Sequence, residues 1–140
     1  MAIKQLNPYL NFNGTADKAI KLYEKALDAK VESIQRFGDV PGTPAAPGTT
    51  DRVIHALLRL GGGVVMVSDT QPDDPAPPGG PIYVTLDFDD PADMGRKFEA
   101  LSAGGKVTMP LQDTFWGAKF GILTDAYGIQ WMFNCNTRQP

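Results

Sequence analysis

Residues 114–134, TFWGAKFGILTDAYGIQWMFN, read as a hairpin that closes a domain. An aromatic pair, Phe115 and Trp116, leads into a run of extended character, and Thr124-Asp125-Ala126-Tyr127-Gly128 then supplies a turn. An Asp early in such a turn can bond the backbone that follows it, and a Gly late in it can take a positive φ, which a tight connection between strands requires. Ile129, Trp131 and Phe133 next alternate with Gln130 and Met132, the two-residue period of a strand with one buried face. Trp131 is therefore expected in the core, with Gln130 and Met132 on the opposite face.

Upstream of the hairpin the chain switches between strand and helix periods. Ile82–Phe88 places Val84, Leu86 and Phe88 on one side and Tyr83, Thr85 and Asp87 on the other, as a strand does. Asp89-Asp90-Pro91 is a helix start, because an acidic cap accepts from free N–H groups and proline suits the first turn. Ala92–Ala103 is the helix, Gly104-Gly105 stops it, and Lys106–Met109 is a short strand. The same order occurs nearer the N-terminus. Leu6–Phe12 is a strand with Pro8, Leu10 and Phe12 facing one way and Asn7, Tyr9 and Asn11 the other. Thr15 is placed to cap a helix over Ala16–Ala29, and Lys30–Phe37 forms a second strand. A Pro- and Gly-rich loop, Gly38–Thr50, leads to strands at Arg52–Leu60 and Val64–Ser68, turned by Gly61-Gly62-Gly63. In the first of these, Ile54, Ala56, Leu58 and Leu60 share one face, while Val53, His55, Leu57 and Arg59 share the other.

Laid over one another at an offset of 76, Asn11–Val31 and Asp87–Val107 align without a gap. Phe12/Phe88, Ala16/Ala92, Asp17/Asp93, Lys21/Lys97, Lys30/Lys106 and Val31/Val107 are identical, six of 21 positions. That is thin as identity, and the repeated order strand–helix–strand–strand–strand is the firmer evidence. The chain reads as α+β, a tandem βαβββ repeat with halves at about 1–70 and 80–140, joined by the linker 71–80, QPDDPAPPGG, within a single domain spanning 1–140.

Composition bounds the function. The chain is 42% hydrophobic and 21% charged, as ordinary soluble domains are. A net charge of −3 provides no basic face for nucleic acid or an anionic membrane. No apolar run approaches the roughly 18 residues of a membrane span. The opening MAIKQLNPYLNF lacks the basic-then-apolar order of a secretory signal, so the expected compartment is the cytoplasm. One cysteine, Cys135, excludes an internal disulfide and a cysteine zinc site, and a single histidine, His55, excludes a site needing two imidazoles from one chain.

PYLNFNG (Pro8–Gly14) with LYEKAL (Leu22–Leu27), IHALLRLGGG (Ile54–Gly63) leading into MVSD (Met66–Asp69), and FWGAKFG with DAYGIQW (Phe115–Trp131) together resemble the PhnB-like branch of the vicinal oxygen chelate superfamily. That superfamily includes glyoxalase I, extradiol dioxygenases, fosfomycin-resistance transferases and bleomycin-resistance proteins. The resemblance covers nearly the whole chain, with one small departure at Ala126, where the branch usually has proline. It implies two curved mixed sheets joined in a cup, helices outside, a small-molecule ligand inside, and a homodimer. Its enzymes draw metal ligands from the first and last strands of each half, positions that fall here on Asn7, Val67, Tyr83 and Met132. None is His, Asp or Glu, the donors a catalytic divalent ion wants, so no metal and no cofactor are expected.

His55 is the candidate catalytic residue, sharing a strand face with Arg59. It reads either as a general acid or base, since imidazole titrates near neutrality, or as a structural histidine bonded to a neighbouring strand. Tyr9, Asn11 and Tyr83 share the expected inner face with Asn7, Thr85 and Asp87, where they either hold a polar ligand or satisfy one another. Trp116 and Lys119, an aromatic and a cation in one motif, suit an anionic or planar ligand or a dimer contact. Gln130 and Met132 complete the candidate ligand-binding set. Cys135 reads as a buried filler.

Phosphate loops, Ser-His-Asp spacing and nucleotide fingerprints are absent, which removes support for a methyltransferase. The reading is a metal-free protein that binds a small molecule. Its alternatives are a metal-dependent lyase, isomerase or dioxygenase with a site rebuilt around His55, and a scaffold acting through its dimer surface.

Overall fold

The computed structural model describes residues 2–42, 47–77 and 79–137. In chain order its elements are β1 (Tyr9–Phe12), α1 (Ala16–Leu27), β2 (Lys30–Arg36), β3 (Val53–Leu60), β4 (Gly63–Asp69), β5 (Val84–Phe88), α2 (Pro91–Ser102), β6 (Lys106–Asp113), β7 (Ala118–Thr124) and β8 (Gln130–Asn136). They fall into two units, Met1–Pro77 and Pro78–Pro140, each with one mixed four-stranded sheet and one helix. The strand orders are β1-β4-β3-β2 and β5-β8-β7-β6, with the first strand of each unit parallel to the last and the remaining pairs antiparallel. The α+β tandem βαβββ architecture expected from the pattern is the one observed.

In the first unit α1 buries Ala16, Ala19, Ile20, Tyr23, Ala26 and Leu27, a stripe at helical spacing, and leaves Lys18, Lys21, Glu24 and Lys25 wet. It ends at Asp28, which takes a left-handed conformation. The stripe packs over a sheet face of Leu10, Phe12, Ala56, Leu58, Val65 and Val67, all buried. In the second unit Met94, Phe98 and Leu101 of α2 cover Leu123, Trp131 and Phe133. Phe98 meets Phe133 edge-on at 5.0 Å, and Phe88 stacks on the same ring at 5.2 Å. Trp131 is fully buried, as its alternation required.

Two buried carboxylates hold the framework. Asp125 accepts from the Tyr127 and Ile129 amides at 2.8 and 3.1 Å and from Trp131 Nε1 at 2.9 Å, so one side chain shapes the β7–β8 turn and orients the core indole. Asp69, at the end of β4, accepts from the amides of Gly14, Ala16 and Val53 at 2.9, 3.0 and 3.0 Å. This corrects the expected cap of α1, since Thr15 makes no side-chain capping bond and the amide of Ala16, the first residue of the helix, turns to Asp69 instead.

Three boundaries also differ from expectation. Pairing in β1 begins at Tyr9 rather than Leu6, although the Pro8 carbonyl still accepts from Met66 N at 2.9 Å. β6 runs past Pro110 to Asp113 because it is an edge strand with register shifts around that proline, so the missing N–H costs no ladder bond in the sheet interior. The 38–50 loop opens with a 3₁₀ turn over Phe37–Asp39, and its centre, 43–46, lies outside the described residues. Arg36 anchors the base of that loop by a forked bond to Asp17 (2.7 and 3.0 Å) and one to the Asp51 carbonyl (2.8 Å), and the Asp17 carboxylate raises the guanidinium above its ordinary pKa.

Candidate functional site

Each sheet has one face under its helix and one open face, and the candidate residues divide accordingly. On the first sheet Tyr9 and Asn11 alternate with the buried Leu10 and Phe12, so they stand on the open side. Tyr9 is in register with Met66, and Met66 with Leu57. His55, two residues along β3 from Leu57, sits on the same side and reaches diagonally to Tyr9. Its Nδ1 lies 3.3 Å from the Tyr9 hydroxyl, with ring centroids 5.9 Å apart and tilted by 56°. The imidazole tautomer decides which of the two donates. The tyrosine is 45% exposed and the histidine half-buried, which makes a polar pair open to solvent on a partly apolar floor.

Arg59 stands further along β3 and donates through Nε to Glu32 at 2.6 Å. That hydrogen bond holds the Glu32 carboxyl below the ordinary carboxylate range and raises Arg59, so the guanidinium is engaged at the sheet rim.

On the second sheet Met132 is central to the open face, in register with Thr85 and Ile122. Tyr83 immediately precedes β5 and is half exposed. Gln130 spends its amide hydrogens on the carbonyls of Gly80 and Ile82, at 2.5 and 3.0 Å, and so ties down the residues that lead into β5. Trp116, in the β6–β7 turn and 55% exposed, meets Phe115 edge-on at 5.0 Å and Phe120 at 6.1 Å. Lys119 takes the other side of β7, in register with the buried Cys135, and the alternation separates it from the aromatic cluster. The aromatic–cation pairing read from the motif is therefore not assembled.

The metal positions implied by the resemblance need one correction. Val67 is fully buried on the helix side of β4, paired with Leu10 and Ala56, and the open-face residue is its neighbour Met66. A slip of one residue in a strand exchanges faces, which is why the assignment misses. The resulting donors are the amide of Asn7, the phenol of Tyr83 and the thioethers of Met66 and Met132, a set that does not fit a catalytic divalent ion. Among the described residues no three of His, Cys, Asp and Glu gather where they could hold a metal, and the polar partner of His55 is a hydroxyl.

The model of the Glyoxalase/Bleomycin resistance protein/Dioxygenase superfamily matches residues 5–133. The chain belongs to that superfamily. It is 35% identical to protein YjdN of Escherichia coli K12, over 96% of this chain and 97% of the relative. The crystal structure of protein PA1353 from Pseudomonas aeruginosa superposes with a TM-score of 0.86 at 40% identity, covering 96% of this chain and 98% of that one. The PhnB protein of Bacillus cereus gives 0.75 at 26% identity, over 94% and 99% of the two chains. The branch suggested by the motifs is thus represented among the neighbours of this superfamily member. Among the described residues no helix is long and apolar enough to cross a membrane.

Sequence reasoning did not single out Asp69 or Met66, and it read Asp125 as a turn residue without its bond to the core indole. Asp69 closes MVSD, and an acidic residue ending a strand was the available clue. For Met66 the clue was alternation counted from the right start.

Proposed function

We propose that this superfamily member binds a small organic molecule without a metal, on the open face of its first sheet. The observation that carries the reading is the Tyr9–His55 pair, a hydroxyl and an imidazole nitrogen 3.3 Å apart and reachable from solvent. Two such groups beside the Met66 and Leu57 side chains offer a polar anchor on an adaptable apolar floor, the usual recipe of a small-molecule site. His55 orients the ligand through this pair, with Asn11 on the neighbouring row of the same face. By analogy with the bleomycin-resistance relatives, the protein sequesters its ligand as a cytoplasmic homodimer.

Thermal-shift screening against small acids, amines and antibiotics tests this. A ligand at about a hundred times its dissociation constant stabilises by about 2.7 kcal/mol. Tyr9→Phe and His55→Ala are expected to leave the unliganded protein folded and to reduce that stabilisation. Compounds that stabilise wild type and both variants equally would overturn the assignment to this face. So would a stoichiometric divalent ion, measured by plasma emission on untagged protein, that leaves with His55→Ala.

A further inference from the structure

The open face of the second sheet carries groups of a different character. Asp87, Asn134 and Phe120 form one row across β5, β8 and β7, and Gln112 of β6 continues it. The row faces away from Phe133 and Cys135, which α2 buries. Asn134 Nδ2 donates to Asp87 Oδ1 at 3.0 Å and lies 3.5 Å from Asn136 Oδ1. A carboxylate only accepts, so the amide must turn its nitrogen toward Asp87 and its oxygen away. Asp87 Oδ2 and Asn134 Oδ1 are then two acceptors, on paired residues of β5 and β8, with no donor among the described residues. No cation pairs with Asp87 among them either. Lys119 is on the other side of β7, and Lys106 is at the far end of β6, in register with Thr124.

At the other end of the row the acceptors give way to an aromatic ledge. Trp116 packs edge-on against Phe120 and remains 55% exposed, with Phe115 edge-on to it and 90% exposed. Two strand spacings separate Asp87 from Phe120, about 10 Å. We infer that this face is a binding site for an organic cation, an ammonium joined to an apolar or aromatic group. The ammonium offers three N–H donors to the two free oxygens and neutralises the unpaired carboxylate. The apolar part lies on the indole, whose electron-rich face also attracts positive charge. This inference rests on different residues from the Tyr9–His55 reading and stands independently of it.

The test is titration of the full-length protein with phenylbutylamine, phenylbutanol and phenylbutyrate, followed by calorimetry and by tryptophan fluorescence. The amine is expected to bind about tenfold more tightly than the alcohol, the difference a charge-assisted hydrogen bond makes, and the acid more weakly than either. Asp87→Asn should erase the preference for the amine while keeping binding of the alcohol. Trp116→Ala should weaken amine and alcohol alike, and Glu99→Gln, which removes an exposed carboxylate from α2 in the same unit, should change neither. Equal or tighter binding of the acid, an amine preference that survives Asp87→Asn, or no binding of the amine would overturn the inference.

Discussion

The two units share a strand order and a helix position yet secure the start of that helix by opposite means. In the second unit Asp90 caps α2 from within the turn, accepting from Ala92 N at 3.0 Å, and Pro91 follows it. In the first unit Thr15 makes no capping bond, and the carboxylate comes from Asp69 at the end of β4. Register shows what replaces it in the other unit: Asp69 pairs with Phe12, and at the matching place Cys135 pairs with Phe88. A local cap leaves the strand end free to hold an apolar filler. A tertiary cap also accepts from Val53 N, where the chain returns from the long β2–β3 connection. The corresponding β6–β7 connection, 114–117, is short and closed by bonds between Thr114 and Ala118, so it needs no such tie.

The ion pairs diverge in the same way. Asp17 and Asp93 occupy matching positions, as do Lys21 and Lys97. Asp93 pairs with Lys97 along its own helix at 2.6 Å, whereas Asp17 reaches across to Arg36 at the base of the loop. The first unit uses long-range bonds to pin a long connection, and the second relies on local ones.

Asp69→Ala should break this contrast most severely, because it strands three amides that it now pairs. At about 1–3 kcal/mol per buried unpaired group, a loss of about 3–5 kcal/mol is expected in urea unfolding, against about 1 kcal/mol for Cys135→Ala. Similar losses for the two would show that the carboxylate is not the tie proposed for it.

Gly121→Ala tests a packing exchange between the units. The row Leu10–Val67–Ala56 is matched by Leu86–Phe133–Gly121, with a larger ring in β8 and no side chain in β7. A Cβ at Gly121 would lie 2.9 Å from Leu111 Cδ2, 3.0 Å from Phe98 Cε2 and 3.1 Å from the Met109 carbonyl. Overpacking of this kind costs about 1–3 kcal/mol, and a neutral or stabilising result would refute the exchange.

A smaller effect separates the caps. Asp90→Ala should cost about 1 kcal/mol, and Thr15→Ala should be nearly neutral for want of a capping bond to lose. If Thr15→Ala costs as much, its hydroxyl caps α1 in solution.

The smallest expected effect is electrostatic. The Lys97 hydrogen bond lowers the Asp93 pKa, so the pair's contribution is present above the ordinary carboxylate pKa of about 4 and is lost as pH falls through the lower folded value. Asp93 is one-third exposed, and an i,i+4 helix pair in that setting contributes about 0.3–0.5 kcal/mol. Asp93→Asn should therefore lower stability by that amount at pH 6, with the difference vanishing once the pH falls below the lowered Asp93 pKa. A difference independent of pH would assign the effect to something other than the ion pair.

Periodicity made much of this architecture readable. Alternation placed Tyr9, His55 and Met132 on open faces and Trp131 in the core, and the offset of 76 carried β1, α1 and β2 onto β5, α2 and β6. Other features were not readable. Pro110 looked like the end of a strand because edge position and a bulge are properties of the assembled sheet. Gln130 showed the right parity, but its amide is occupied by the carbonyls of Gly80 and Ile82, which are fifty and forty-eight residues away.

What the sequence determined by itself is whatever depends on neighbours a few positions apart: the repeat, the helices with their wet and dry sides, the Asp90 cap and the Asp125 turn. Only the tertiary structure decided what depends on register and on partners distant in the chain. These are the Asp69 cap, the exchange of Val67 for Met66 on the open face, the meeting of Tyr9 with His55, and the row from Asp87 to Phe120. The physical reason is that a strand's two-residue period identifies its faces but not its partners, and hydrogen bonds between strands take their geometry from the pairing.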